Sequence, residues 1–388
     1  MDRVRELSGW LAREGRFLAG NLELFERYCA KVGEMGVPLD RSWLHIRTLH
    51  PQYAGMSRLW TRETGVVERY LEHGFEGTDI YLSSPIKFAV EGRKTGRWRL
   101  DSDAALPSRT LDELRASGYS DYVVAPLFYS DGTANALSWA TRARGGFSDN
   151  DLRLFHDLMP DYAAIAEIKS LRRFASNMLR TYAGREPGEL ILKGQIRRGD
   201  VRTITAALML VDLRDFTQMS DTLAPTDVIK TLNRYFDCVM QPVSQRGGEV
   251  MELMGDGILA IFNDNVDGGP AQACRQAFEA AMEGIEALAR SNESEPSGTP
   301  PLVAGFALHY GTVAYGNIGS GDRLDFTVIG RDVNLTSRIE RLCRELGRQL
   351  IMSGEFVNLL QQPMFEIGHF ALRGFPRMQL LFGLPADS

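Results

Sequence analysis

The chain has 388 residues, of which 44% are hydrophobic and 24% charged, with a formal net charge of −6. That length suits two domains, each able to bury its own core, and the composition is that of ordinary globular protein. The negative balance argues against nucleic acid or an anionic membrane as a partner. No run of about 18 uncharged apolar residues is present, and MDRVRELSGWLAREGRF carries charges where a signal peptide has its apolar stretch. A cytoplasmic protein without a membrane span is expected. Cys29, Cys238, Cys274 and Cys343 lie far apart and form no CxxC pair, which speaks against structural zinc and a disulfide framework.

Residues 1–35 read as an amphipathic helical segment, with Leu7, Leu11, Leu18 and Leu22 among charges. From 36 to 165 short apolar runs (WLHIRTL, YVVAPLFY, NALSWATR) alternate with turns such as SDGTAN, the hairpin signal of a sheet domain. Ser148 is a candidate N-cap for a helical stretch of more than thirty residues, which Pro160 is predicted to kink or split. The helical connector and glycine-rich linker occupy 166–199. His45, His50, His73 and His156 lack metal-ligand spacing, and Trp43, Trp60, Trp98 and Trp139 suit core packing.

From 200 to 385 strands and helices follow the order βαββαβ with extra strands at the end. This predicts a ferredoxin-like α+β domain with helices on one face of an antiparallel sheet. Asp212 ends the first strand in LVDLRDFT, and Asp256 sits in the hairpin turn of ELMGDGILAIF. Taken singly, each is a common turn or cap residue. Together, at adjacent strand ends, they form a hard-oxygen site for Mg²⁺ or Mn²⁺. Asn334 and Arg338 stand four residues apart and share a helix face. An amide there can orient a ribose, and a guanidinium can stabilise charge on a transferring phosphate.

LVDLRDFT, GGEVMELMGDGILAIF, FTVIGRDVNLTSR and LRGF, in this order and spacing, resemble the class III adenylyl and guanylyl cyclases over roughly 200–385. The resemblance implies a nucleoside triphosphate substrate and two Mg²⁺ or Mn²⁺ ions per site held by Asp212 and Asp256. It gives ribose orientation to Asn334 and transition-state stabilisation to Arg338. Arg373 would meet the terminal phosphates, and the backbone amides of Phe216 and Thr217 would face phosphate. It also implies a head-to-tail homodimer whose interface sites take metals from one chain and Asn and Arg from the other. Asp215 stands where the family usually has Gly. Glu252 and Thr327 fall at the base-reading positions. Glu252 is the guanylyl cyclase residue, whereas Thr327 is frequent in bacterial adenylyl cyclases, and the expectation is ATP with GTP as the alternative. A catalytically silent cyclase fold is a further alternative, which the presence of all four catalytic residues weighs against. A diguanylate cyclase is excluded, since Glu249 is followed by Val250 and Met251 rather than a second acid.

Residues 36–165 resemble, by texture alone, a GAF-type α/β sensory domain, with YVVAPLF, SDGTANALSWAT and GGFSDNDLRLFHDL as the suggestive segments. A small-molecule or protein signal acting there is expected, but its chemistry is not legible. No cysteine lies in this stretch, so covalent bilin attachment is not expected.

Overall fold

The computed structural model describes residues 3–48, 53–102, 105–265, 268–296, 299–321 and 323–384. The chain divides into two compact units, Met1–Met178 and Leu179–Ser388.

In the first unit α1 (Arg3–Arg13) and α2 (Asn21–Glu34) replace the single expected helix. Gly15 and Gly20 fall between them, and glycine weakens a helix interior. Then come β1 (Arg41–Arg47), β2 (Tyr53–Thr61), β3 (Gly65–Glu72), α3 (Asp79–Leu82), α4 (Pro85–Val90), β4 (Gly96–Arg99), α5 (Arg109–Ala116), β5 (Asp121–Phe128), β6 (Ala134–Thr141) and α6 (Asp149–Ala183). The six strands pair antiparallel in the order β3-β2-β1-β6-β5-β4. One face buries Leu44, Ile46, Leu137 and Trp139 against α1, α2 and α6, and Trp139 stacks on Phe155 with ring centroids 4.3 Å apart. The other face sets Val124, Ala136 and Ala140 against Ala89, Val90, Leu111 and Leu114 of α4 and α5. Helix α6 runs unbroken through Pro160, so the predicted split does not occur. Pro160 is exposed, while Leu158, Met159, Tyr162, Ala163 and Ala166 are buried and hold the helix on either side of it. His45 is buried and its pKa falls to about 4 through that burial. His156 is exposed beside Asp157, and His50 lies outside the described residues.

The second unit begins with the end of α6 and a short helix α7 (Arg185–Leu192) inside the stretch expected to be a linker. Next are β7 (Val201–Leu213), α8 (Phe216–Thr222), α9 (Pro225–Gln245), β8 (Glu249–Met254), β9 (Gly257–Asn263), α10 (Gly269–Ser294), β10 (Ala304–Gly319) and β11 (Leu324–Ile329). The unit ends with α11 (Arg331–Glu345), β12 (Leu350–Ser353), α12 (Gly354–Leu360), β13 (Phe365–Phe370) and β14 (Gln379–Gly383). The sheet order is β13-β14-β12-β10-β7-β9-β8, with β11 paired to β10. Its centre, β10-β7-β9-β8, is antiparallel and has the ferredoxin-like arrangement.

The helices are not confined to one face, which corrects the expectation. Residues alternate along β10, with Phe306 and Leu308 entering the core shared with α9, α10 and α12. Ala307 turns to the opposite face, where Leu335, Ile339 and Cys343 of α11 cover it. Both faces of β10 are thus closed, and farther along the face that α11 covers Leu190 of α7 packs against the sheet. Among the described residues no helix is long and apolar enough to cross a membrane.

Candidate active site

β7 carries Asp212 at its C-terminal end, opposite Gly305 of β10. On its other side β7 pairs with β9, Val211 facing Ile258, so the hairpin turn that contains Asp256 falls beside Asp212. A Cβ on Gly257 would lie 3.6 Å from Asp212 Oδ1. Burial and then the charge of Asp256 push the Asp212 pKa up to about 6. Glu340 of α11, half-buried nearby, is pushed up to about 7 by burial and then by Asp212. Two carboxylates forced together in this way are relieved by a divalent cation. Among the described residues no group of three or more His, Cys, Asp or Glu gathers as a metal cage. Two carboxylates with the remaining ligands drawn from phosphate and water is the usual Mg²⁺ arrangement, and the residues present fit it.

Helix α11 carries Asn334, which is exposed, and Arg338, which is partly so. Its first turn is tied to β10, where Thr312 N–H donates to Asp332 Oδ2 at 2.7 Å. Its far end is held by Arg214, whose guanidinium donates to the carbonyl of Cys343 at 2.7 Å and also to that of Arg348. The helix therefore runs from Thr312 towards Gly305. Thr312 pairs with Thr205 and Gly305 with Asp212, a separation along β7 of about 23 Å at ~3.3 Å per residue. Asn334, within a turn of the Thr312 end, stands well away from the aspartates of its own chain. Arg373 is exposed in the turn before β14. That turn is fixed to α11 through buried Leu372 and through Arg331 stacked over Phe375 at 5.1 Å. The structure thus brings Asn334, Arg338 and Arg373 to one helix and its adjoining loop, with Asn334 towards the end of the sheet away from Asp212 and Asp256.

Phe216 and Thr217 open α8, with Phe216 half-buried against the core and Thr217 exposed. The first amides of a helix lack intrahelical acceptors. Asp215 precedes them at φ 58°, ψ 22°, and its side chain makes no capping hydrogen bond. That left-handed conformation is open to glycine and, among the rest, best tolerated by Asn and Asp. The departure from the family's glycine is therefore one the backbone accepts, and the carboxylate is exposed.

Glu252 and Thr327 are brought together. Thr327 Oγ1 donates to Glu252 Oε2 at 3.2 Å, and both line a cavity of about 1080 Å³ with Arg202, Met251 and Asp325. Asp212, Asp256, Asn334 and Arg338 do not line it. Because the threonine proton is given to Glu252, the pair presents acceptors to the cavity. Sequence reasoning missed Asp332, His309, Gly311, Arg214 and Glu340. Only Asp332 carried a signal, as an acid in the first turn of a helix.

Residues 201–380 match the family model described as the adenylate and guanylate cyclase catalytic domain. The chain is 30% identical over 231 residues to Adenylate cyclase 1 of Rhizobium meliloti, covering 57% of this chain and 34% of that protein. It is 33% identical over 174 residues to an adenylate cyclase of Anabaena cylindrica, covering 43% and 33%. It thus spans about a third of the length of the curated relatives it matches. In fold it is similar to a bacterial light-regulated adenylyl cyclase, with TM-score 0.50, 19% identity, and 67% of this chain and 85% of that one covered. Fold, motif order and family match agree, and the chain carries over residues 201–380 a class III adenylate and guanylate cyclase catalytic domain.

Proposed function

We propose that this domain converts ATP to 3′,5′-cyclic AMP and pyrophosphate. The observation that carries the proposal is the Asp212–Asp256 pair, whose crowded charge calls for a divalent cation. When bound there, Mg²⁺ or Mn²⁺ supplies positive charge that acidifies the ribose 3′-hydroxyl and neutralises the triphosphate. In the reaction the 3′-oxygen bonds to the α-phosphorus, the bond to the β-phosphate oxygen breaks, and the hydroxyl proton leaves to solvent. Asn334 orients the ribose, and Arg338 offsets the charge that grows on the α-phosphate oxygens. Arg373 and the amides of Phe216 and Thr217 hold the outer phosphates. Two chains form a homodimer, each site taking its aspartates from one and Asn334 and Arg338 from the other. The six-stranded N-terminal unit serves as a GAF-like sensory domain that sets the rate through α6, in a cytoplasmic protein.

The names of the relatives favour ATP. A second reading, GTP, has Glu252 in its favour, since a carboxylate accepts from guanine N1–H and the 2-amino group. Incubating the protein with Mn²⁺ and either ATP or GTP, and identifying the product by mass, tests the proposal. Cyclic AMP is expected. Cyclic GMP alone would overturn the choice of base, and no cyclic product from either nucleotide would point to a silent regulatory fold.

Glu252→Lys should raise the ratio of kcat/KM for ATP to that for GTP, whichever nucleotide the parent prefers. Lysine donates to adenine N1 and removes the acceptor that guanine uses. A hydrogen bond to a charged group contributes about 1.5–3 kcal/mol, so in a parent that uses GTP the ratio should move by about tenfold or more. In a parent that uses ATP the shift should be small, because Glu252 then contacts at most the 6-amino group. Movement towards GTP would show that Glu252 does not face the base edge.

A further inference from the structure

Between the sheet and the first turn of α11 lies a chain of polar contacts that neither metal binding nor base reading uses. Ser353, at the end of β12, accepts Phe356 N–H on Oγ at 3.3 Å and so caps α12. The same hydroxyl lies 2.8 Å from His309 Nδ1. The Ser353 hydroxyl has a proton it can give to Nδ1, and the tautomer that receives it carries the ring proton on Nε2. His309 is 3% exposed, and among the described residues its Nε2 has no hydrogen-bond partner. What Nε2 faces is Asp332 Oδ1 at 3.8 Å, an electrostatic contact longer than a hydrogen bond. The other oxygen of Asp332 receives Thr312 N–H, and its backbone carbonyl receives Thr336 Oγ1 at 2.8 Å. A Cβ on Gly311 would lie 2.3 Å from Asp332 Oδ2. The carboxylate fills the space that a glycine leaves on β10.

The apolar side of α11 is the stripe Leu335, Ile339 and Cys343, which resists separation from the sheet but gives little direction about the helix axis. Directional contacts have to set its rotation and register.

We infer that His309, with Asp332 and Gly311, is a positioning residue for the cyclase reaction. This latch fixes the first turn of α11 on β10 and so aims Asn334 and Arg338, which leave the helix two and six residues beyond Asp332. The catalytic consequence rests on the cyclase reading above, whereas the latch itself is a property of the fold.

The test uses the full-length protein and compares the parent with His309→Phe, His309→Gln, Arg338→Ala and the double variant His309→Phe/Arg338→Ala. Phenylalanine keeps the bulk and removes both ring nitrogens. Glutamine restores an N–H towards Asp332. With Mn²⁺ and ATP, His309→Phe should lower kcat by about 10–100-fold with KM within about threefold, the cost of a small misplacement of catalytic groups. His309→Gln should recover most of the loss. In the Arg338→Ala background the same His309→Phe change should cost much less, because it acts by aiming that residue. Additive losses, or an unchanged kcat, would overturn the assignment.

Amide hydrogen exchange on the same proteins reads the latch without activity. Thr312 N–H should exchange faster in His309→Phe, by about tenfold or more for loss of a contact worth over ~1.4 kcal/mol, while Leu208 in β7 does not change. Unchanged Thr312 exchange overturns the latch. A parent that makes no cyclic product overturns the cyclase reading, and exchange still decides the latch. If His309→Phe does not fold, Asp332→Asn, which removes only the charge, should show both effects in the same direction.

Discussion

Replacing Asp212 or Asp256 with alanine is expected to abolish cyclisation with either Mg²⁺ or Mn²⁺ while the protein stays folded. In the proposed reaction the two carboxylates are the protein's side-chain share of the metal site, and a lone one cannot hold two ions. Losing several kcal/mol of charge stabilisation corresponds to a fall in turnover of about 10³-fold or more. Stability should move the other way. The folded pKa of Asp212, about 6, lies above its ordinary value of 3.8. Ionisation therefore opposes folding increasingly as pH rises from about 3.8 to 6, and fully above that range. In chelator at pH 7.5 Asp212→Ala should melt at or above the parent's temperature, and this advantage should vanish below pH 4. Activity assays with each metal and melting curves at both pH values decide the matter. Near-parental turnover in either variant would end the metal assignment. An Asp212→Ala protein less stable than its parent at pH 7.5 would show that the crowding of carboxylates is not real.

The aspartates are legible in the sequence because each is specified locally. Asp212 closes a run of buried-type residues, and Asp256 lies between two glycines in a turn. The ferredoxin-like order, read from the alternation of strands and helices, then makes β7 and β9 neighbours and brings them together. The seat of α11 is not legible, for a physical reason. Ala304–His309 are all buried, because both faces of β10 are covered, so the strand loses the alternation that would show where a helix lies. His309 and Ser353 meet only through the parallel pairing of β10 with β12, and His309 and Asp332 only through the return of α11 across the sheet. Nothing in the spacing of these residues announces it.

In the N-terminal unit the hairpin around SDGTAN is plain, since β5 and β6 flank it in register from Phe128 and Ala134 onwards. The continuity of α6 through Pro160 is not, because it depends on burial on both sides of the proline rather than on the proline itself. Helix α7 is similarly hidden within a glycine-rich and charged segment. It is held by contacts remote in sequence, Glu186 N–H to Glu249 at 2.5 Å and the Arg202–Glu186 ion pair.

Mixing Asp212→Ala protein with Arg338→Ala protein is expected to restore activity that neither has alone. The geometry of a single chain gives the reason. The first turn of α11 is tied to Thr312 of β10, about 23 Å along the sheet from the Asp212 end at ~3.3 Å per residue, and its other end is clamped by Arg214. Asn334 therefore cannot join the aspartates of its own chain without dismantling the seat of the helix, which supports the proposal that a second chain completes the site. In a two-fold dimer both sites are equivalent. The mixed dimer holds one site with intact aspartates and intact Arg338, and one site that has lost both. With random exchange half of the dimers are mixed and one of their two sites works, so about a quarter of parental activity should return. Two control mixtures sharpen the test. Asp212→Ala with Asp256→Ala, and Asn334→Ala with Arg338→Ala, each damage the same half-site in both chains and should recover nothing. Recovery in a control mixture would show that its two residues act from different chains, and none in the test mixture once subunit exchange is verified by labelled chains would show that each chain completes its own site. The seating of α11 on β10 would then have to differ in the working enzyme.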